Sequence, residues 1–164
     1  MQANDRNELK LGVLYKVESP IIFYHIHHYG TEGECYMQKQ INTTLYSRNH
    51  ITNDGYKLKQ EELFESVRKE NTPSFPSRRN CLFLSKTKED ARYWHNYFRK
   101  RCNYTKCYKV TLLSGKYVLL DSELYDEGKP LEYWKGEQIS GYSDYIEILF
   151  EGKCRTEEIV TNWD

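Results

Sequence analysis

The sequence predicts an α+β fold built on antiparallel strands, and three observations carry that prediction. Short β-branched and aromatic runs recur along the 164 residues. Two longer segments, 58–70 and 87–101, space their apolar residues as helices do. The order is strands, a helix, a strand, a helix and a run of strands, without the regular alternation of a doubly wound parallel sheet.

Each element has its own signal. Ile21-Ile-Phe-Tyr-His-Ile26 is β-branched and aromatic and predicts a strand, with a weaker one over Leu11 to Val17. From Leu58 to Glu70, Leu63, Phe64 and Val67 form an apolar stripe among charged residues, which predicts a helix. The loop Asn71 to Asn80 carries two of the four prolines. Cys81 to Ser85 is a short apolar strand. Thr87 is an N-cap with Glu89 and Asp90 in the first turn behind it. Ala91, Trp94, Tyr97 and Phe98 then share one helix face as far as about Arg101. Tyr104 to Leu113 and Tyr117 to Asp121 alternate like strands, with Ser114-Gly115 read as their turn. Ser122 to Trp134 is a short helix or irregular segment, and Tyr145 to Glu151 and Glu157 to Trp163 are the last strands.

At 19.7 kDa the chain, residues 1–164, reads as one domain. A domain of this length buries roughly 70% of its extended surface, so its core needs no metal or disulfide staple. Five scattered cysteines without a CxxC pair predict reduced thiols. No apolar run reaches the roughly 18 residues of a membrane span, and MQANDRNELK lacks a signal-peptide core, which predicts a soluble, cytoplasmic chain without membrane contact. His25 and His27 share a strand face, and His50 or His95 would complete a metal set, but no cysteine or carboxylate stands at ligand spacing, so no metal site is expected.

The 24 basic and 24 acidic residues exclude a chain-wide polycation. The distribution is uneven. Residues 91–120 hold seven Lys and Arg and no acid, whereas 121–164 hold twelve acids against four bases. The basic stretch suits an anionic ligand. Within it, Phe98 to Lys109 interleaves five bases with three aromatic residues, a composition that grips single-stranded nucleic acid. Cations at a helix end facing its dipole account for the same residues, and both readings stand.

Three stretches line up with one family. They are Tyr24-His25 at a strand end, Leu82-Phe-Leu-Ser85 leading into Ala91-Arg-Tyr-Trp94, and Glu147-Ile-Leu-Phe150 on a late strand. In this order they resemble the ADP-ribosyltransferase superfamily of the diphtheria-toxin and poly(ADP-ribose) polymerase type, and its small bacterial and phage members, over Ile21 to Gly152. The resemblance implies a split pair of antiparallel sheets forming a cleft for NAD. It implies mono-ADP-ribosyl transfer to a protein or nucleic acid, a role in toxicity or host–phage conflict, and an antitoxin or other inhibitory partner. His25 takes the position that holds the NAD ribose, beside Tyr24. Phe83 stands where the family has a tyrosine, followed by Ser85, and Tyr93 takes the place of the ring stacked on nicotinamide. Glu147 takes the catalytic position, with Asp144 of Asp144-Tyr-Ile as the competing carboxylate. The loop Asp126 to Asp144, with Tyr133, Trp134 and Tyr142, corresponds to the acceptor-recognition loop. Among the basic side chains Arg78, Arg79 and Arg99 are candidates for the pyrophosphate.

The chemistry explains these residue types. Breaking the nicotinamide–ribose bond builds an oxocarbenium-like cation, as glycoside cleavage does, and a nearby carboxylate stabilises it. The alternative is a noncatalytic member of the fold or a nucleic-acid-binding module.

Overall fold

The computed structural model describes residues 8–27, 40–42 and 55–164. The fold is α+β, and the strands named below pair antiparallel among the described residues. Its spine is a ribbon of two long strands, β5 (Lys106–Asp121) and β6 (Ile146–Ile159), paired from Tyr108 opposite Ile159 to Asp121 opposite Ile146. The outer edge of β5 carries β1 (Tyr15–Lys16) and β2 (Ile21–His27), and that of β6 carries β3 (Gln40–Asn42) and β4 (Leu82–Leu84). Among the described residues these six strands form one sheet rather than two separate ones.

The expected turn at Ser114-Gly115 is absent, because the ribbon bends there without reversing. Register shifts fall at Tyr108/Val110 and Leu112/Ser114, and Gly115 faces Gly152 across the ribbon. Both have positive φ, 120° and 153°, and a Cβ on either would strike the backbone of the opposite strand. Two glycines therefore let the backbones close up where bulges add twist. The same bulges switch the alternation: Tyr108, Val110 and Leu112 share a core with Tyr117 and Leu119. The bend also brings together strands from opposite edges of the ribbon. β2 and β4 meet at one pair, where the Tyr24 and Ser85 amides and carbonyls exchange bonds of 3.0 and 2.7 Å.

Two cores result. The first joins Phe23, Leu82, Leu84, Tyr108, Val110, Ile148 and Phe150. The second lies on the other face, where Val118, Leu120 and Leu149 are covered by Phe64, Leu124, Tyr133 and Trp134. Those residues come from α1 (Gly55–Asn71), from α3 (Ser122–Asp126), the short helix after β5, and from α4 (Pro130–Lys135). In α1 the buried face is Glu61 and Phe64, while Leu63 of the expected stripe is 50% exposed. α2 (Lys88–Arg99) starts at Thr87, whose side chain accepts from the Asp90 amide at 3.1 Å, as its N-cap signal predicts. It packs against β2 and the 3-10 turn Ser143–Tyr145 ahead of β6.

Candidate functional site

The most densely connected polar group lies at the edge of the second core. Arg78, from the proline-bearing loop after α1, is buried; its Nε donates to Glu61 of α1 at 3.3 and 3.4 Å. Its Nη1 donates to Glu147 Oε1 of β6 at 2.5 Å and meets the Tyr133 hydroxyl at 2.7 Å. Tyr133 donates to the same Glu147 Oε1 at 2.6 Å, and Tyr125 donates to Glu61 Oε1 at 2.7 Å. The guanidinium lies 3.6 Å from the Tyr125 ring centre and 4.9 Å from that of Phe83. Ring faces and carboxylates thus replace water around a charge that would be costly to bury alone.

Electrostatics follow from this packing. Although burial opposes the charge, the oxygens of Tyr133, Glu147 and Glu61 hold the Arg78 guanidinium well above its ordinary value. Burial first, and then Glu147, push the Tyr133 phenol well up, so it stays a donor. Partial burial and the Glu147 charge also raise Asp126 above the usual aspartate range. Glu147 Oε1 accepts twice, whereas Oε2 has no partner among the described residues.

The strands of the three motifs are neighbours, but their side chains do not all converge. His25 pairs with Tyr108 and faces the first core; its Nδ1 lies 2.9 Å from the Phe83 carbonyl. Glu147 faces the second core, so the two stand on opposite faces of the sheet. Burial lowers the His25 ring to about 4, partly offset by that carbonyl, and the ring is neutral. Tyr24 and Ser85 form the β2–β4 bridge, and Phe83 lies under Arg78. Arg78 is turned inward to carboxylates, whereas Arg79 beside it is exposed.

Tyr93 occupies a second, aromatic cluster. Its hydroxyl lies 3.3 Å from that of Tyr145, which with burial raises the phenol to about 12. Trp94 Nε1 donates to the Asp144 carbonyl at 2.6 Å, and Ser143 donates to Asp90 at 2.7 Å. The Asp144 carboxyl oxygen Oδ1 is buried without a hydrogen-bond partner among the described residues. In the expected acceptor loop only Tyr142 presents its ring, 69% exposed, whereas Tyr133 and Trp134 are core and Trp134 Nε1 donates to the Phe64 carbonyl at 2.8 Å. The apolar neighbours Leu124 and Phe64 draw them inward.

Sequence reasoning missed Glu61, Tyr125 and Asp126. Glu61 had a signal: it lies three residues from both Leu58 and Phe64, a charge on the apolar face of a helix. Among the described residues no group of three His, Cys, Asp or Glu is arranged to hold a metal. Cys81, Cys107 and Cys154 are buried and form no disulfide among the described residues, while Cys35, His28 and His50 lie outside them. No helix among the described residues is long and apolar enough to cross a membrane.

Fold and site define an α+β protein with a coiled antiparallel sheet and a buried arginine joining two glutamates under a helical cover. Residues 23–162 match the family model described as protein of unknown function (DUF2441), and the chain belongs to that family. No curated protein matches it.

Proposed function

We propose that the protein is a mono-ADP-ribosyltransferase that takes ADP-ribose from NAD and passes it to a macromolecular acceptor. The observation that carries this reading is the unequal state of the two Glu147 oxygens: Oε1 is fixed by Arg78 and Tyr133, and Oε2 has no partner among the described residues. A carboxylate fixed through one oxygen and free through the other is preorganised to face a developing cation. The motif strands support the reading as neighbours, β4 pairing with β6 and bridging to β2.

In the reaction the bond between ribose C1 and the nicotinamide nitrogen breaks, and its electron pair leaves with nicotinamide. An acceptor oxygen or nitrogen then bonds to C1 and releases its proton to solvent. Glu147 stabilises the positive charge between these events. Tyr93 is the ring available to nicotinamide, and exposed Arg79 is the cation available to the pyrophosphate. His25 enters this reading as a tether between β2 and β4, through the Phe83 carbonyl, rather than as a ribose contact.

Release of nicotinamide from labelled NAD tests the reading. Glu147→Gln keeps an acceptor for Arg78 and Tyr133 but removes the charge, so turnover falls ~10²–10³-fold while NAD affinity holds. Asp144 of Asp144-Tyr-Ile is the competing carboxylate, and its Oδ1 has no hydrogen-bond partner among the described residues. Loss in Asp144→Asn with full turnover in Glu147→Gln moves the catalytic role three residues upstream. Full turnover in both, or no NAD consumption by the unaltered protein with any acceptor fraction, ends the transferase reading.

A further inference from the structure

The C-terminal half of α2 and the turn before β6 present a feature that the Glu147 site does not use. Tyr142, Tyr145, Trp94 and Tyr97 form a row, with successive ring centres 6.1, 6.4 and 5.7 Å apart. Phe98 stacks on Trp94 at 5.8 Å and 26°, and the Arg101 guanidinium caps the row 4.5 Å from the Tyr97 ring centre. Trp94 Nε1 and the Tyr93 hydroxyl pin the underside to the 3-10 turn. Both ends of the row face water: Tyr142 is 69% exposed and Tyr97 37%.

Cations stand on the same helix and in the turn just beyond it, with Arg101 against the Tyr97 ring. Arg92, Arg99, Lys100 and Arg101 are exposed, and none has a carboxylate within ion-pair distance among the described residues. Tyr104, in the turn just beyond, is 43% exposed. Of the acids beside the row, Asp90 is engaged by Ser143, and Asp144, between Tyr142 and Tyr145, has its Oδ1 buried and turned away from water. The helix dipole accounts for a cation or two at this end, but not for rings held in a row beside them.

We infer that this face binds single-stranded nucleic acid, its cations meeting phosphates and its exposed rings stacking on unpaired bases. A duplex would use the cations and leave the rings idle, since its bases are already stacked. An acidic protein surface would likewise gain little from the rings. Aromatic faces beside a cationic track are what an unpaired strand requires. This inference stands independently of NAD chemistry; if both hold, the strand is the acceptor.

The test is fluorescence anisotropy with labelled single-stranded RNA and DNA of about a dozen nucleotides, without NAD. Affinity falls linearly with log salt, and the joint reversal Arg99→Glu, Lys100→Glu and Arg101→Glu lowers both affinity and salt slope. Tyr97→Ala and Tyr142→Ala each weaken binding about 5- to 150-fold and leave the slope unchanged, because they remove stacking and no charge. Both rings are exposed, so melting temperatures of these two variants stay near that of the parent. Preference for duplex, indifference to both tyrosine variants, or no binding at low salt overturns the inference. A preference for polyglutamate over oligonucleotide also overturns it, in favour of an acidic protein partner. Binding is read without NAD and turnover without oligonucleotide, so either reading fails without the other.

Discussion

Arg78→Met isolates what holds the Glu147 site together. Methionine keeps the length and most apolar contact with Tyr125 and Phe83 but leaves Glu61 and Glu147 without their cation. The side chains of Arg78 and Glu61 are 7% and 4% exposed, so water does not replace the lost partner there. Glu147 is 16% exposed and recovers some solvation. Stranding a buried charge costs roughly 3–5 kcal/mol, and one well-buried plus one partly open carboxylate puts this case near 4. In a domain of this size each kcal/mol moves the melting temperature by about 2–4 °C, so the expected drop is about 8–16 °C. Urea denaturation at neutral pH measures the free energy, and a thermal melt checks it. Adding Glu61→Gln to Arg78→Met restores part of the loss, because one stranded charge is gone. A loss below about 1 kcal/mol, or no recovery in the double variant, refutes the view of Arg78 as the compensating charge of this network.

The remaining predictions concern pH and the bend. His25 is held near 4 in the fold against 6.5 in its absence, so the unfolded chain takes up the proton first on acidification. Stability is then full above about 6.5 and falls between there and about 4, by up to about 3 kcal/mol. His25→Gln, which still reaches the Phe83 carbonyl, flattens that limb in urea titrations across this range; an unchanged slope contradicts it. Gly115→Ala adds a Cβ against the Glu151 carbonyl at φ 120°, whereas Gly128→Ala at φ 70° meets nothing within 4 Å. Strain alone costs of order 1 kcal/mol, so Gly115→Ala exceeds Gly128→Ala by at least about 1 kcal/mol in chemical denaturation; equal losses place no close approach at Gly115.

Local signals determined much of this protein. The Thr87 cap, the paired prolines of 71–80 and the β-branched, aromatic or apolar runs at Ile21, Leu82 and Ile146 mark elements whose chemistry is complete within a few residues. Local signals do not distinguish a turn from a bulge at Ser114-Gly115. A glycine serves either, and what decided is Gly152 across the ribbon, 37 residues later. The site divides in the same way. Glu147 was legible because a charge between Ile146 and Ile148 must face away from those side chains. What it faces came from elsewhere in the chain: Arg78 from a loop 69 residues earlier, Tyr133 from α4 and Glu61 from α1 by way of Arg78. His25 shows the converse. Its place at the end of a strand was readable, but the face it takes depends on pairing with Tyr108, and that pairing sets it on the other face from Glu147. A sequence states which groups carry charge, while the folded chain decides which of them meet, because desolvation rewards only pairs that close the same pocket.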